Sequence, residues 1–303
     1  MDIYLPIAGQ SVNALFMVVL GLLVGVLSGM FGVGGGFLTT PLLIFYGIPP
    51  TVAVASAATQ ITGASVSGVM VHMRRGGVDL KMGGVMIVGG VFGSLVGAVL
   101  FRLLQSTGQI DLVIGALYVL ILGWIGGLML KDALVALGYV TAPSVQKPAT
   151  RHNRWVASLP LRWRFYSSGL YVSPLAPLAL GFIAGMLTVL LGIGGGFILV
   201  PAMIYLLGMA ARVVIGTSLV MILAVSAATT MVHALTTRSV DIVLAALLLV
   251  GGVVGAQYGA VLATRVKPDL LRFALAVIIL LVALRMALGL AWHPDEVYSI
   301  EYL

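Results

Sequence analysis

Two glycine triplets, Gly34-Gly35-Gly36 and Gly194-Gly195-Gly196, stand at matching places 160 residues apart in hydrophobic sequence. Glycine weakens a helix by ~1 kcal/mol relative to alanine and reaches backbone angles closed to other residues. Each triplet therefore reads as a helix break. A helix restarting at Phe37 or Phe197 turns the positive end of its dipole and its free N–H groups toward the gap, which suits an anion. Two such ends facing each other would make an anion site without a buried lysine or arginine. Thr39 follows the first triplet, Thr59 and Gln60 lie further on, and Thr217 and Ser218 occupy the matching region of the second half. Their hydroxyls and amide can donate to an oxyanion. Each could instead back-bond to a helical carbonyl or pack between helices. Thr39 and Thr40 are replaced by Leu199 and Val200 in the second copy, which puts a symmetric site in doubt.

His72 and His233 form a second matched pair, each followed by an aspartate, Asp79 or Asp241. Histidine titrates near neutral pH and can relay protons, so these four residues are candidates for gating or proton coupling. The plainer alternative is that the histidines cap their helices and the aspartates accept N–H groups at the start of the next one. No Asp or Glu falls in the middle of a hydrophobic segment, which argues against carboxylate-driven coupling. Metal-ligand spacing is missing, and no cofactor or catalytic residue is expected. A nucleotide loop fails because Phe37 stands where the Walker lysine, or the last glycine of a dinucleotide fingerprint, would have to be.

The elements that must position these residues are membrane helices. The chain is 61% hydrophobic and 8% charged, against about 25% charged in soluble domains. No charged residue occurs from Ile3 to Met73 or from Tyr166 to Ala211. The N-terminus lacks a signal-peptide pattern, so the first apolar run reads as a retained span. Hydrophobic segments run at about 12–31, 36–48, 52–73, 82–104 and 111–130, then at about 175–191, 196–209, 212–236, 242–264 and 269–291. The segment after each triplet spans roughly 20 Å as a helix, short of the ~30 Å hydrocarbon core.

An internal repeat accounts for this order. Gly21–Tyr46 aligned on Gly181–Leu206 gives ten identities in 26 positions, including Gly25/Gly185, Phe37/Phe197 and Pro41/Pro201. Met70-Val71-His72 matches Met231-Val232-His233, and Val78-Asp79 matches Val240-Asp241. Gly21/Gly25 and Gly89/Gly93/Gly97 have the helical spacing of close helix packing. The expected fold is an all-α integral membrane protein of two homologous helical repeats, with about 8–10 membrane segments broken at the glycine motifs. The expected parts are repeat 1 over 1–130, a basic cytoplasmic loop over 131–174 and repeat 2 over 175–303.

Counting five segments per half puts Arg74, Arg75, Lys81, Lys131, the central loop, Arg212, Arg265, Lys267 and Arg272 on one side. Arg102, Arg238 and the acidic tail (Asp295, Glu296, Glu301) fall on the other. The positive-inside rule favours that count, and an odd number inverts one half relative to the other. The net charge of +7 then reads as this bias, with no nucleic-acid partner. The loop residues Lys147, Arg151, Arg154, Trp155, Arg162, Trp163 and Arg164 suit anionic headgroups.

At Gly32–Phe37 with Pro41, at its echo Gly192–Pro201, and at the two His/Asp pairs, the sequence resembles the sulfite exporter TauE/SafE family, also described as four-toluene-sulfonate uptake permeases. The resemblance covers nearly all of both halves and excludes the central loop. It implies a multi-pass protein of the cell (inner) membrane that moves sulfite, sulfonates or related organosulfur anions. Without an ATP-binding motif, the expected function is secondary transport by alternating access, with the anion between the two breaks. A passive anion channel and an integral membrane enzyme are the alternatives. The enzyme is disfavoured because His152 and His293 lie in loops and the other two histidines fall on opposite sides. The expected partners are a small anionic substrate and the lipid bilayer, and a homo-oligomer is compatible with this architecture.

Overall fold

The computed structural model describes residues 2–31, 34–74, 76–136, 162–262 and 268–291. Gly32, Arg75, Lys147, Arg151, His152, Arg154, Trp155, Arg265, Lys267, His293, Asp295, Glu296 and Glu301 lie outside the described residues.

The same element order recurs in both halves. The first holds α1 (Ala14–Phe31), α2 (Gly36–Phe45), α3 (Pro50–Arg74), α4 (Leu80–Ser106) and α5 (Ile110–Ala136). The second holds α6 (Leu175–Leu191), α7 (Gly196–Tyr205), α8 (Ala211–Val232) with a π-helical turn (His233–Thr237), α9 (Ile242–Leu262) and α10 (Pro268–Ala291). Six of the described helices are long and apolar enough to cross a membrane, and four shorter apolar helices flank the breaks. At 10 residues each, α2 and α7 are about 15 Å long, half the ~30 Å hydrocarbon core. Large apolar side chains such as Phe92, Leu120, Trp124 and Tyr258 point outward, as lipid permits and water does not.

Each half opens on a β-hairpin that helical periodicity does not anticipate. β1 (Asp2–Leu5) pairs antiparallel with β2 (Gln10–Asn13), and β3 (Trp163–Phe165) with β4 (Leu170–Val172). Strand alternation turns Leu5 and Val12 inward in the first and Phe165 and Val172 inward in the second, all buried. The second hairpin and the end of α5 fall inside the stretch expected to be loop, so 131–174 is not loop throughout.

The halves interlock through glycine-lined helix pairs. α1 lies along α9, with Gly21, Gly25 and Gly29 against the carbonyls of Leu248, Gly252 and Ala256. α6 lies along α4 in the same manner, with Gly181 and Gly185 against Met86 and Gly90. Both pairs run parallel. α3 and α8 instead cross antiparallel, since Thr59 meets Thr230 while Gly68 faces Leu219. Close approach is what the glycines provide: a Cβ on Gly185 would stand 2.0 Å from the Gly90 carbonyl oxygen. Gly185→Ala should therefore destabilise the protein by about 1–3 kcal/mol. Gly127→Ala, where a Cβ meets nothing within 4 Å, should be neutral or slightly stabilising. Thermal unfolding in detergent checks the pair.

Candidate functional site: two helix breaks in contact

α1 ends at Phe31 and α2 begins at Gly36; α6 ends at Leu191 and α7 begins at Gly196. Between them Gly34, Gly194 and Gly195 have φ of +75°, +73° and +72°, the left-handed region that favours glycine. The N–H groups of Leu38 and Thr39 both donate to the Gly35 carbonyl, and those of Ile198 and Leu199 to the Gly195 carbonyl. Gly36, Phe37, Gly196 and Phe197 precede these bonds, so their N–H groups have no carbonyl ahead of them in their own helices.

The two breaks touch. A Cβ on Gly36 would lie 2.3 Å from the Gly192 carbonyl oxygen. Phe37 stacks on Phe197 with ring centroids 4.8 Å apart and planes 9° from parallel. Gly34 and Gly194 both face Ile61 of α3 and Ile222 of α8. Residues 34–37 and 192–197 are all buried.

Of the polar candidates, Thr39 and Gln60 gather here. The Thr39 hydroxyl lies 2.9 Å from Gln60 Oε1 and 3.2 Å from the Gly35 carbonyl, and it donates to this pair of acceptors. Both side chains are buried. The far end of the Gln60 amide reaches Gly252, where a Cβ would meet Nε2 at 2.9 Å. The second half places Leu199 and Met221 at the matching positions, with Met221 Cε set against Gly90 in the same way. The polar lining is thus one-sided. The other candidates are spent elsewhere. Thr59 bonds the Ala55 carbonyl and approaches Thr230, and Ser218 bonds the Ile215 carbonyl. Thr217 accepts the Asp79 N–H at 2.9 Å.

The histidines differ. His233 is buried, with Nε2 3.0 Å from the Val189 carbonyl in the last turn of α6. Because a carbonyl only accepts, Nε2 carries the proton. Phe101 meets the ring edge-on. His72 is half-buried near the end of α3. The aspartates do the same thing twice. Asp79 Oδ1 accepts the Met82 N–H at the start of α4, and Oδ2 accepts the N–H and hydroxyl of Ser168 in the turn of the second half's hairpin. Asp241 Oδ1 accepts the Val243 and Leu244 N–H groups of α9, and Oδ2 accepts the Ile7 N–H in the turn of the first half's hairpin. Each aspartate caps a helix in its own half and holds the other half's hairpin.

Three contributors were not legible as site residues. Ile61 and Ile222 close over the glycines, and their offset of 161 equals that of the two histidines, which is the signal that could have found them. Tyr118, fully buried in α5, donates its hydroxyl to the Leu191 carbonyl at the end of α6. No repeat partner marks it, because Ile279 stands 161 residues on.

Ten apolar helices among the described residues, six of them long enough to cross a bilayer, with paired interruptions in the buried interior, define a multi-pass α-helical membrane protein. The family model "Sulfite exporter TauE/SafE" matches residues 17–286, and the chain belongs to that family. It is a membrane transporter of the cell membrane. It is 31% identical to the Probable membrane transporter protein YjnA of Bacillus subtilis over 89% of this chain and 98% of that one. It is 30% identical to a Probable membrane transporter protein of Xylella fastidiosa (strain 9a5c), over 81% of this chain and 83% of the relative. A shorter match, 44% identical over 19% of this chain and 13% of the relative, is to Sulfite exporter TauE/SafE family protein 1 of Arabidopsis thaliana. No solved structure matches the chain significantly.

Proposed function

We propose that this chain is a secondary transporter of small sulfur-containing oxyanions, sulfite or a sulfonate, bound between the two glycine breaks. The observation that carries the reading is the contact of two buried helix starts, Gly36–Phe37 and Gly196–Phe197, beside the Thr39–Gln60 pair. Two helix N-termini supply partial positive charge and N–H donors where a full charge would be costly. On binding, the Thr39 hydroxyl would turn from the Gln60 and Gly35 oxygens to the anion and add a donor on one side, so the anion leans toward the first half. The family description supports the substrate class.

The halves are read as inverted relative to each other. The antiparallel crossing of α3 and α8, matching helices of the two halves, supports this. Alternating access then consists of rocking one half against the other around a fixed site, with Ile61 and Ile222 parting in turn. Flux of radiolabelled sulfite into proteoliposomes, in competition with sulfonates and sulfate, tests the assignment. Saturable flux competed by sulfonates is the expected result, and its absence for every sulfur oxyanion would overturn it.

The one-sided lining makes a further prediction. Thr39→Val removes the hydroxyl that would turn to the anion, worth roughly 1.5–3 kcal/mol for a charged partner, and Gln60→Leu removes the acceptor that positions that hydroxyl. Each should raise the KM for the anion by roughly 10- to 150-fold. Leu199→Val and Met221→Leu, at the matching places in the second half, should leave KM nearly unchanged. Concentration-dependent flux separates the two pairs.

A further inference from the structure

The two hairpins occupy matching positions, and the second sits in a basic, aromatic surround. Beside it lies a cavity of about 410 Å³ lined by Lys81, Arg162, Trp163, Arg164, Tyr166 and Tyr171. Among the described residues, three cations and no carboxylate line it. The first hairpin, from Asp2 to Asn13, contains no lysine or arginine. We propose that this cavity binds the phosphate of an anionic lipid headgroup at the cytoplasmic leaflet.

Several observations point to that ligand. The Lys81 ammonium lies 5.3 Å from the Trp163 ring centroid and 5.8 Å from that of Phe165, and it bonds the Arg164 carbonyl. The Arg164 guanidinium lies 5.7 Å from the Tyr166 ring. Lys81 and Arg164 are therefore held in place by aromatic faces. Asp79, two residues from Lys81, is buried, and its oxygens are taken up by Met82 and Ser168. Arginine and lysine together suit a phosphate, which takes several charge-assisted bonds at once. A lipid is favoured over a free ion by the rim. Trp163, Tyr166 and Tyr171 are 45%, 79% and 55% exposed, and Leu80 and Leu175 present bare apolar surface beside them. Amphipathic aromatics over exposed leucines are what the headgroup level of a bilayer selects. The charge difference between the hairpins puts this one on the cytoplasmic side, where anionic lipids concentrate.

The test uses the full chain in a neutral detergent with dioctanoyl phosphatidylglycerol, dioctanoyl phosphatidylcholine or inorganic phosphate. Thermal shift and native mass spectrometry read binding. Each basic residue near an anionic surface strengthens binding about fivefold. The triple variant Lys81→Gln/Arg162→Gln/Arg164→Gln should therefore lose about 100-fold in affinity for phosphatidylglycerol. Arg162→Gln alone, a milder change should the triple variant not fold, should lose about fivefold. Arg102→Gln, at the other end of α4, should lose nothing. Equal binding of the two lipids, or unchanged phosphatidylglycerol binding in the variants, would overturn the proposal. Inorganic phosphate binding as tightly as phosphatidylglycerol would overturn the lipid as its source and leave a free-oxyanion site.

Discussion

Gly36→Ala is expected to reduce anion flux by at least ~100-fold while the protein still folds and elutes as a single species. The added methyl group would stand 2.3 Å from the Gly192 carbonyl oxygen, 3.2 Å from the Ile193 carbonyl carbon and 2.2 Å from Ile61 Cδ1. The isoleucine tip can swing away, but the backbone of the facing break cannot. The variant therefore drives the two helix starts apart by about the width of the overlap. Overpacking of this kind costs about 1–3 kcal/mol, which a packed membrane bundle can absorb. A positioned constellation does not absorb it, because a displacement near 1 Å costs about 100-fold where geometry decides the rate. Gly34→Ala is the instructive comparison. Its Cβ would have room, with nothing nearer than 3.7 Å, but its φ is +75°. It should cost about 1–2 kcal/mol in backbone strain and keep much of its flux. Proteoliposome flux normalised to monodisperse protein measures both. Wild-type flux in Gly36→Ala would remove the two-break site.

The second large effect is on stability. Asp79→Ala should destabilise the protein by about 3 kcal/mol or more, and Asp241→Ala by a similar amount. Each carboxylate accepts three hydrogen bonds, two of them from N–H groups in different halves of the chain. Bonds to a charged acceptor contribute about 1.5–3 kcal/mol, and an N–H left buried without a partner adds its desolvation cost. The asparagine variants keep one acceptor oxygen and lose the charge, so they should fall between wild type and alanine. Loss of the latch should also free the hairpin itself. In Asp79→Ala the amide of Ser168 should exchange hydrogen faster, and in Asp241→Ala that of Ile7 should do so. Melting curves with hydrogen exchange check the prediction. An alanine variant as stable as wild type would reduce these bonds to incidental contacts.

Much of this fold can be read from the sequence because membrane helices announce themselves by composition and because the chain states its pattern twice. The glycine triplets begin three residues past the ends of α1 and α6 and run into the first residues of α2 and α7, since few other residues reach the backbone angles found there. The helical spacing of Gly21, Gly25 and Gly89, Gly93 correctly signals close packing. What spacing along one helix cannot say is which helix receives it, and in both cases the partner belongs to the other half. The hairpins escaped for a related reason. Strands of three or four residues carry too little alternation to register, and Trp163–Phe165 sits within basic sequence that resembles a linker. Asp79 and Asp241 were recognisable as caps from their place before an apolar run. Their second bond spans 89 or 234 residues and leaves no local trace. Thr217 lies in the region of the second half that matches the stretch around Thr59 and Gln60, and its hydroxyl accepts the Asp79 N–H. Its counterpart Ser56 accepts the Asp241 N–H in the same way.

The reading of the site rests on an anion lying between Gly34–Phe37 and Gly194–Phe197. Selenite replaces sulfite with an atom that scatters anomalously, so a crystal of the protein grown with selenite locates the ligand without interpretation of its shape. One strong anomalous peak is expected within hydrogen-bonding reach of the Gly36 and Gly196 N–H groups and of the Thr39–Gln60 pair. A peak bound elsewhere in the bundle, with the two breaks still closed on each other, would contradict it.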